Sequence, residues 1–355
     1  MARILAINPG STSTKLAVFD DDKLLAEKTI RHSREELGRY AGVLEQEDMR
    51  KKYVMSMLSE NGIDINSLDA VVGRGGLVKP IDSGTYLIND KMLADLVSAT
   101  AAVHASSLGG IVAYSIGKQH GIAAYVVDPI VVDEMDPCAK LTGIPGIERR
   151  SVFHALNTKA IARRAALKLG IDYENGRFIV AHMGGGITIG AHRYGRVVDV
   201  NDALSGEGPF TPERCGAVPV TGIIDKCYSG EYSKDEMMQF VSGGGGMSAY
   251  LGTNDLRDTE AMIKTGDEYA ALVMDSMAYQ VSKEIGSMVA VLEGRLHAIV
   301  LTGGLAYSTR FTGAIKQRVD QIAQVFVFPG EDEMLALAQG ALRVLDGSDT
   351  AKEYR

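Results

Sequence analysis

Apolar and polar positions along the first thirty residues fall into three short runs, RILAIN, KLAVFD and LLAEKTI. A Gly/Ser/Thr turn separates the first two, and Asp20, Asp21 and Asp22 separate the last two. Apolar-rich runs of this length between turn residues predict three β-strands. A polar helical stretch fills the forties and fifties, after which LDAVVGRGG reads as a buried strand ending in a glycine loop. Helical sequence runs from Asp90 to His120, and AAYVVDP is a further strand that stops at Pro129. The second half repeats the plan. RFIVAHMGGG is a buried strand entering a glycine loop, and ITIGAHRYG and RVVDVN are two strands joined by a turn. Strand, glycine turn, strand, turn, strand thus occurs near residue 4 and again near residue 178, as a repeat of pattern rather than of letters. HAIVLTGGLA, a helical run and the strand VFVFP follow. A last helix from about Asp332 carries Met334, Leu335, Ala338, Ala341, Leu342 and Leu345 at helical spacing.

A chain of 355 residues exceeds one comfortable core, which predicts two domains. Gly and Pro cluster in KLTGIPGIERRS, just before a helix expected to start at Ser151, and place the boundary near residue 150. No low-complexity linker intervenes, so the two domains are expected to pack around a cleft. The net charge of −8 and the lack of a long basic run argue against nucleic acid as the expected partner. Cys138, Cys215 and Cys227 are odd in number and form no CxxC pair, which suits a reducing cytoplasm. MARILAINPG enters a strand at once, without an apolar leader. No window offers the roughly 18 uninterrupted apolar residues of a membrane span.

Three glycine-rich loops carry the candidate chemistry. INPGSTSTK offers backbone N–H groups, hydroxyls and the Lys15 ammonium to a phosphate, although it also fits an ordinary hairpin turn. It is no Walker A loop, because GxxxxGK[ST] is absent and a strand follows. HMGGGITIG superficially offers a dinucleotide fingerprint, but β-rich sequence follows where a Rossmann loop opens a helix. Its Gly184, Gly185 and Gly186 allow close approach to a phosphate, while His182 alone also fits a satisfied core histidine. LTGGLAYSTR sets Gly303 and Gly304 at a strand end, where a nucleotide's sugar and base can sit. Three such loops, two of them in repeated hairpins, predict a nucleotide site. GxSxG, HExxH, an EF-hand loop and an HRD/DFG pair are all absent.

The set INPGSTSTK, VVGRGG, VVDPIVVDEMDP, RRSVFHALNTKA, AHMGGGITIG, GPFTPER, LGTNDLRD, LTGGLAYS and PGEDEMLALAQGA resembles the acetate kinase family in order and spacing over nearly the whole chain. The likeness is strongest to the family's butyrate kinase branch. This resemblance implies an α/β fold, the duplicated actin-like ATPase fold of sugar kinases, heat-shock chaperones and actin. It implies a domain of residues 1–150 on the acyl-substrate side and a nucleotide-binding domain of residues 151–335, with a C-terminal helix of about residues 336–355 packing back on the first. It also implies ATP/ADP and Mg2+ as cofactors, a small carboxylate as substrate, and at least a dimer.

By the same resemblance, Asn8, Ser11, Ser13 and Lys15 lie in the first phosphate loop, with Asn8 near the transferred group. Arg74 holds the acceptor carboxylate, as an arginine fork can. Asp128 and Glu333 are associated with Mg2+, and Asp128 could instead position the acceptor. His154 and His182 face the transferred phosphoryl and the ATP phosphates; Asp255 and Arg257 flank the nucleotide, and Gly303 and Gly304 form the adenosine loop. Ser151 is expected to cap the helix that begins there, placing His154 in its first turn. The sequence departs from acetate kinases at three places. Thr158 stands where they carry a second histidine, Arg214 lies closer to the FTP segment than their second essential arginine, and Gly76 stands where they place a valine against the substrate methyl. Loss of that side chain implies a larger acyl pocket, with Val103, Phe153 and Pro212 as its other walls. Direct attack by a carboxylate needs no general base. A sugar kinase would need one, for which Asp128 could serve, and a non-catalytic ATP-dependent clamp would not need Arg74.

Overall fold

A computed structural model describes residues 1–98 and 105–355. The chain divides into two compact units, Met1–Val132 with Asp332–Arg355, and Asp133–Glu331. In the first unit the three N-terminal runs form β1 (Arg3–Pro9), β2 (Ser13–Asp20) and β3 (Lys23–Arg31), an antiparallel meander. β4 (Ala70–Gly73), β5 (Thr85–Leu87) and β6 (Ala123–Val127) extend it in the order β5-β6-β4-β1-β2-β3, with β4 parallel to β1 and β6 parallel to β4. Side chains alternate between the faces of the sheet. Leu5, Ile7, Leu16, Val18, Val71 and Val126 join one core with Val54, Met57 and Leu58 of the helix Glu47–Glu60 and with Leu108, Val112 and Ile116 of the helix Ser107–His120. The other face takes the helix Glu333–Leu345, packed on β1. Its Gly340 lies so close to Val127 that a Cβ there would stand 2.4 Å from Val127 Cγ1.

Two expectations for this unit change. Among the described residues, the helical sequence from Asp90 to His120 forms the helices Asp90–Ser98 and Ser107–His120. The C-terminal helix stops at Leu345 instead of reaching residue 355, and Gly347, at φ +79°, turns the chain back. The tail then pairs Lys352 and Glu353 with β5 and buries Tyr354, whose hydroxyl donates to Asp95 at 2.6 Å. Burial and that carboxylate push the Tyr354 phenol up to about 12.

The second unit repeats the meander as β7 (Arg177–Met183), β8 (Ile187–Arg193) and β9 (Arg196–Val200). β10 (Ala298–Gly303) and β11 (Gln324–Pro329) extend it on the β7 side in parallel, in the order β11-β10-β7-β8-β9. Ile179, Ala181 and Met183 face Met274, Met277, Val281 and Ile285 of the helix Glu268–Val291. Phe178 and Val180 face Ile161, Ala162 and Ala165 of the helix Ala155–Leu169. One strand therefore serves two helical layers through its period of two.

Residues 133–150 belong to this unit, so the division precedes the Gly/Pro loop expected to mark it. Asp136 N–H donates to Val198 O at 2.8 Å, the Glu134 carboxylate accepts from Val197 N–H at 2.9 Å, and Arg149 pairs with Asp199 at 2.8 Å. The next helix begins at Ala155, not Ser151. His154, at φ −78° and ψ 59°, occupies its cap position, and Ser151 is buried outside it.

Candidate active site

In the first unit the site is built on strand ends. β1 delivers Asn8, and the β1–β2 register sets Lys15 opposite it. Beyond β4, Arg74 N–H donates to Ile7 O at 2.9 Å and continues the ladder. The glycines of VVGRGG have packing reasons. A Cβ on Gly73 would stand 2.0 Å from Gly109 O, and one on Gly75 would stand 2.5 Å from Val126 Cγ1. Strand end and helix start thus meet backbone to backbone and fix the Arg74 main chain. Its Nη1 lies 2.8 Å from Glu333 Oε1 and donates to Oε2 at 2.8 Å, while Asn8 Nδ2 donates to Oε2 at 2.6 Å. Glu333 opens its helix and is buried, so Asn8, Arg74 and Glu333 form one hydrogen-bonded cluster.

Asp128 follows β6 at φ +39°, a conformation that L residues other than Asn and Asp rarely hold. It is buried, and its Oδ1 accepts from Gly84 N–H at 2.7 Å. Among the described residues no group of three or more His, Cys, Asp or Glu side chains forms a metal cage. The separate carboxylates Asp128 and Glu333 suit Mg2+ nevertheless, because that ion commonly keeps water and phosphate oxygens and takes one or two carboxylates.

Gly76 corrects the pocket reading. A Cβ there would stand 2.0 Å from Ser107 Oγ and 2.6 Å from Ser107 Cα. The missing side chain makes room for the helix Ser107–His120, so the space it vacates is taken by Ser107. Gly76 is buried with φ outside the positive range. Val103 lies outside the described residues, and Phe153 and Pro212 are buried in the second unit.

In the second unit, β7 and β8 set His182 opposite Thr188, on the face covered by the helix Ala155–Leu169. The start of that helix brings His154 and Asn157 to them. The two imidazoles stack with centroids 3.8 Å apart and planes 12° apart. His154 Nδ1 lies 3.1 Å from Thr188 Oγ1, and His182 Nδ1 donates to Asn157 Oδ1 at 2.9 Å. The buried His182 Nε2 lies 3.1 Å from Glu331 Oε1 but is not aligned for a hydrogen bond, and it has no other partner among the described residues. Thr158 braces the helix start by donating to His154 O at 3.0 Å.

The triple glycine next to His182 is locked from behind. Gly184 N–H donates to Gly186 O at 3.0 Å, and Thr211 Oγ1 donates to Gly185 O at 2.6 Å. A Cβ on Gly186 would stand 2.0 Å from Arg214 Nη1, so this glycine admits the guanidinium beside the loop. Arg214 also donates to Ala203 O at 2.6 Å, and burial pushes its pKa below the ordinary arginine value.

A cavity of about 690 Å³ opens beside this loop, lined by Gly185, Asp255, Arg257 and Gly304 and by Glu213, Asn254, Glu260 and Tyr307. That volume is in the range of small-molecule and cofactor sites. Asp255 also caps the helix Leu256–Lys264, accepting from Arg257 N–H at 2.8 Å and pairing with its guanidinium at 2.6 Å. These contacts hold the Asp255 carboxyl down at about 2. The paired glycines differ in kind. Gly303, at φ +89°, is packed against Met183, whereas a Cβ on Gly304 would meet nothing within 4 Å, so Gly304 borders open space. Asn157, Thr211, Glu213 and Glu331 lie inside the motifs RRSVFHALNTKA, GPFTPER and PGEDEMLALAQGA, which do not by themselves single them out. Asn157 lies inside RRSVFHALNTKA, three residues beyond His154, and that helical offset was the available signal.

The family model described as the Acetokinase family matches residues 139–337, more than half of the chain. Acetate kinase of Porphyromonas gingivalis superposes with a TM-score of 0.82 at 21% identity, over 97% of this chain and 100% of that one. A propionate kinase from Francisella tularensis gives 0.75 at 20% identity, over 96% and 99%. The ROK hexokinase of Thermus thermophilus gives 0.51 at 14% identity, over 96% and 97%, and shares the actin-like kinase fold.

Proposed function

Because the chain belongs to the acetokinase family, we propose that it moves the γ-phosphoryl group of ATP reversibly onto a short-chain carboxylate, with butyrate as preferred acceptor. The kinase class and the short-chain carboxylate class follow from the family. Butyrate is supported by the motif likeness to the butyrate kinase branch; Gly76 does not support it, because Ser107 fills that space. The observation that carries the reading is Arg74, whose guanidinium already holds a carboxylate, that of Glu333. A carboxylate acceptor matches that fork in geometry and charge.

At neutral pH a carboxylic acid is already ionised, so an acceptor oxygen attacks the γ-phosphorus in line without a base. Arg74 orients the acceptor and offsets charge as two anions approach, and Asn8 offers its amide to the transferred group. His182 presents its buried Nε2, and the Gly184–Gly186 loop presents its backbone, to phosphate oxygens. Glu333 and Asp128 would hold Mg2+, which would supply charge neutralisation there. Catalysis then rests on alignment and preorganised charge, with no covalent enzyme intermediate.

The test is hydroxylamine trapping. ATP, Mg2+ and butyrate should give the hydroxamate, with butyrate ahead of acetate in kcat/KM. No hydroxamate from any C2 to C5 acid, with folded protein and saturating ATP, would sink the reading. A homodimer is part of the proposal. The helix Val220–Tyr228 buries none of its residues, and Val220, Ile224 and Tyr228 are exposed and apolar. Light scattering at micromolar concentration should give twice the chain mass, and a monomer mass would remove this part.

A further inference from the structure

The turn between β1 and β2 is backed by a charge that no motif announces. Arg50, on the helix Glu47–Glu60, is only 1% exposed. Its Nη2 donates to Gly10 O at 3.0 Å and to Gln46 Oε1 at 2.8 Å. Its Nη1 donates to Ser13 O at 2.9 Å and to Thr14 Oγ1 at 2.8 Å. All of these acceptors are uncharged. Thr14 Oγ1, occupied as an acceptor by Arg50, lies 2.8 Å from His32 Nε2 and can donate to it. His32 Nδ1–H then points at Glu36 Oε2, 3.1 Å away, and Glu36 also accepts from Tyr53 at 2.7 Å. Burial holds the His32 pKa below its ordinary value, in keeping with a neutral ring in this chain of donors.

The bonds have one geometric result. Gly10 O is taken by Arg50, Thr12 O by His32 N–H at 2.8 Å, and Ser13 O by Gly10 N–H at 2.8 Å together with Arg50. The turn's carbonyls are thus held from inside. Ser11 and Thr12 are exposed, and their N–H groups have no partner among the described residues. Successive free N–H groups in a turn form an anion-binding concavity. Behind this one lies a buried cation with no carboxylate in contact. Taking a charge out of water is costly unless an opposite charge or strong hydrogen bonds offset it.

We propose that Arg50 is a positioning residue for the phosphoryl group: it holds the Gly10–Ser13 turn so that the Ser11 and Thr12 N–H groups face the anion, and it supplies the buried charge that the anion complements. The naming of that anion as a nucleotide phosphate rests on the kinase reading above.

Full-length Arg50→Met and Arg50→Lys are compared with the wild type by thermal unfolding, by calorimetric binding of ATP and of adenosine, and by hydroxamate turnover. Folded Arg50→Met should bind ATP about 10- to 100-fold more weakly, the span of a lost charged hydrogen bond. Its adenosine affinity and its KM for the acid should stay at wild-type values, because neither ligand part uses this turn. Arg50→Lys keeps the charge but cannot bridge Gly10 O, Ser13 O and Gln46 together, so part of the loss should remain. If Arg50→Met does not fold, Arg50→Lys is read alone, with about a tenfold weaker ATP affinity expected. Unchanged ATP affinity in the folded variant read, or equal losses for ATP and adenosine, would overturn the proposal. Wild-type protein that binds ATP yet makes no acyl phosphate refutes carboxylate phosphorylation while leaving the Arg50 comparison decisive.

Discussion

Arg74 holds two obligations at once, to the buried Glu333 carboxylate and to the proposed acceptor. Substitutions can separate them. Arg74→Ala leaves Glu333 with Asn8 alone and should cost stability as well as turnover, since a buried charge loses its partner. Arg74→Lys keeps a cation near Glu333 but loses the planar two-point fork. It should unfold close to the wild-type temperature, bind ATP normally, and lose on the order of 10² to 10³ in turnover, the cost of one preorganised donor. Lost ATP affinity with intact turnover would move Arg74 out of the acceptor role. At this scale the structure brings several of the motif residues together. Asn8, Arg74 and Glu333 come together in one cluster, as do His154 with His182 and Gly186 with Arg214. What the letters hide is the layer behind them. Arg50, Lys51 and Lys52 are consecutive basic residues on one helix, and only the fold decides that the first is buried beneath a turn 40 positions away.

The contact between the end of β4 and the helix Ser107–His120 is made by glycine against glycine and serine, which leaves no room for added atoms. Gly76→Ala should therefore destabilise the protein by about 1–3 kcal/mol through overpacking. It should lower acetate and butyrate turnover by the same factor, because it displaces the Arg74 strand end and leaves the acyl chain's surroundings alone. A loss confined to butyrate would restore the acyl-pocket reading of Gly76. The sequence could not decide between these, because a glycine required by a neighbour and one left open for a ligand look identical as letters. The strands, by contrast, were legible, because β1, β2, β7 and β8 are bounded by turn residues and keep their apolar runs. The start at Ala155 was not: Ser151 resembles a cap, but the helix begins only after His154, whose ring reaches Thr188. The early division at Val132 was hidden too, since the pairing of Glu134 with Lys159 and of Arg149 with Asp199, which ties residues 133–150 to the second unit, is not visible in the letters.

At the scale of the molecule, acid should weaken the fold through His192. This ring is fully buried between Tyr173 and the Lys159–Glu134 ion pair, and burial and Lys159 push its pKa down to about 3. The unfolded chain binds a proton near the ordinary histidine value of about 6.5, and the folded chain does not until about pH 3. Stability from this group is full above that ordinary value and falls as pH drops between the two, by about 2 kcal/mol from pH 7 to pH 5. Urea unfolding at both pH values should show a shallower fall in His192→Gln than in the wild type, and equal falls would remove His192 as the cause. The first unit carries a consequence of another kind. Glu333 bonds to Asn8 across 325 positions of sequence and to Arg74 across 259. A ribosome therefore finishes every residue of the second unit before it makes the carboxylate and the helix that complete the first. During synthesis one face of the N-terminal sheet waits bare, and Arg74 waits without its counter-charge. The sheet laid down before the second unit is completed only after it, and translation itself withholds the proposed acceptor side until residues 332–355 are in place.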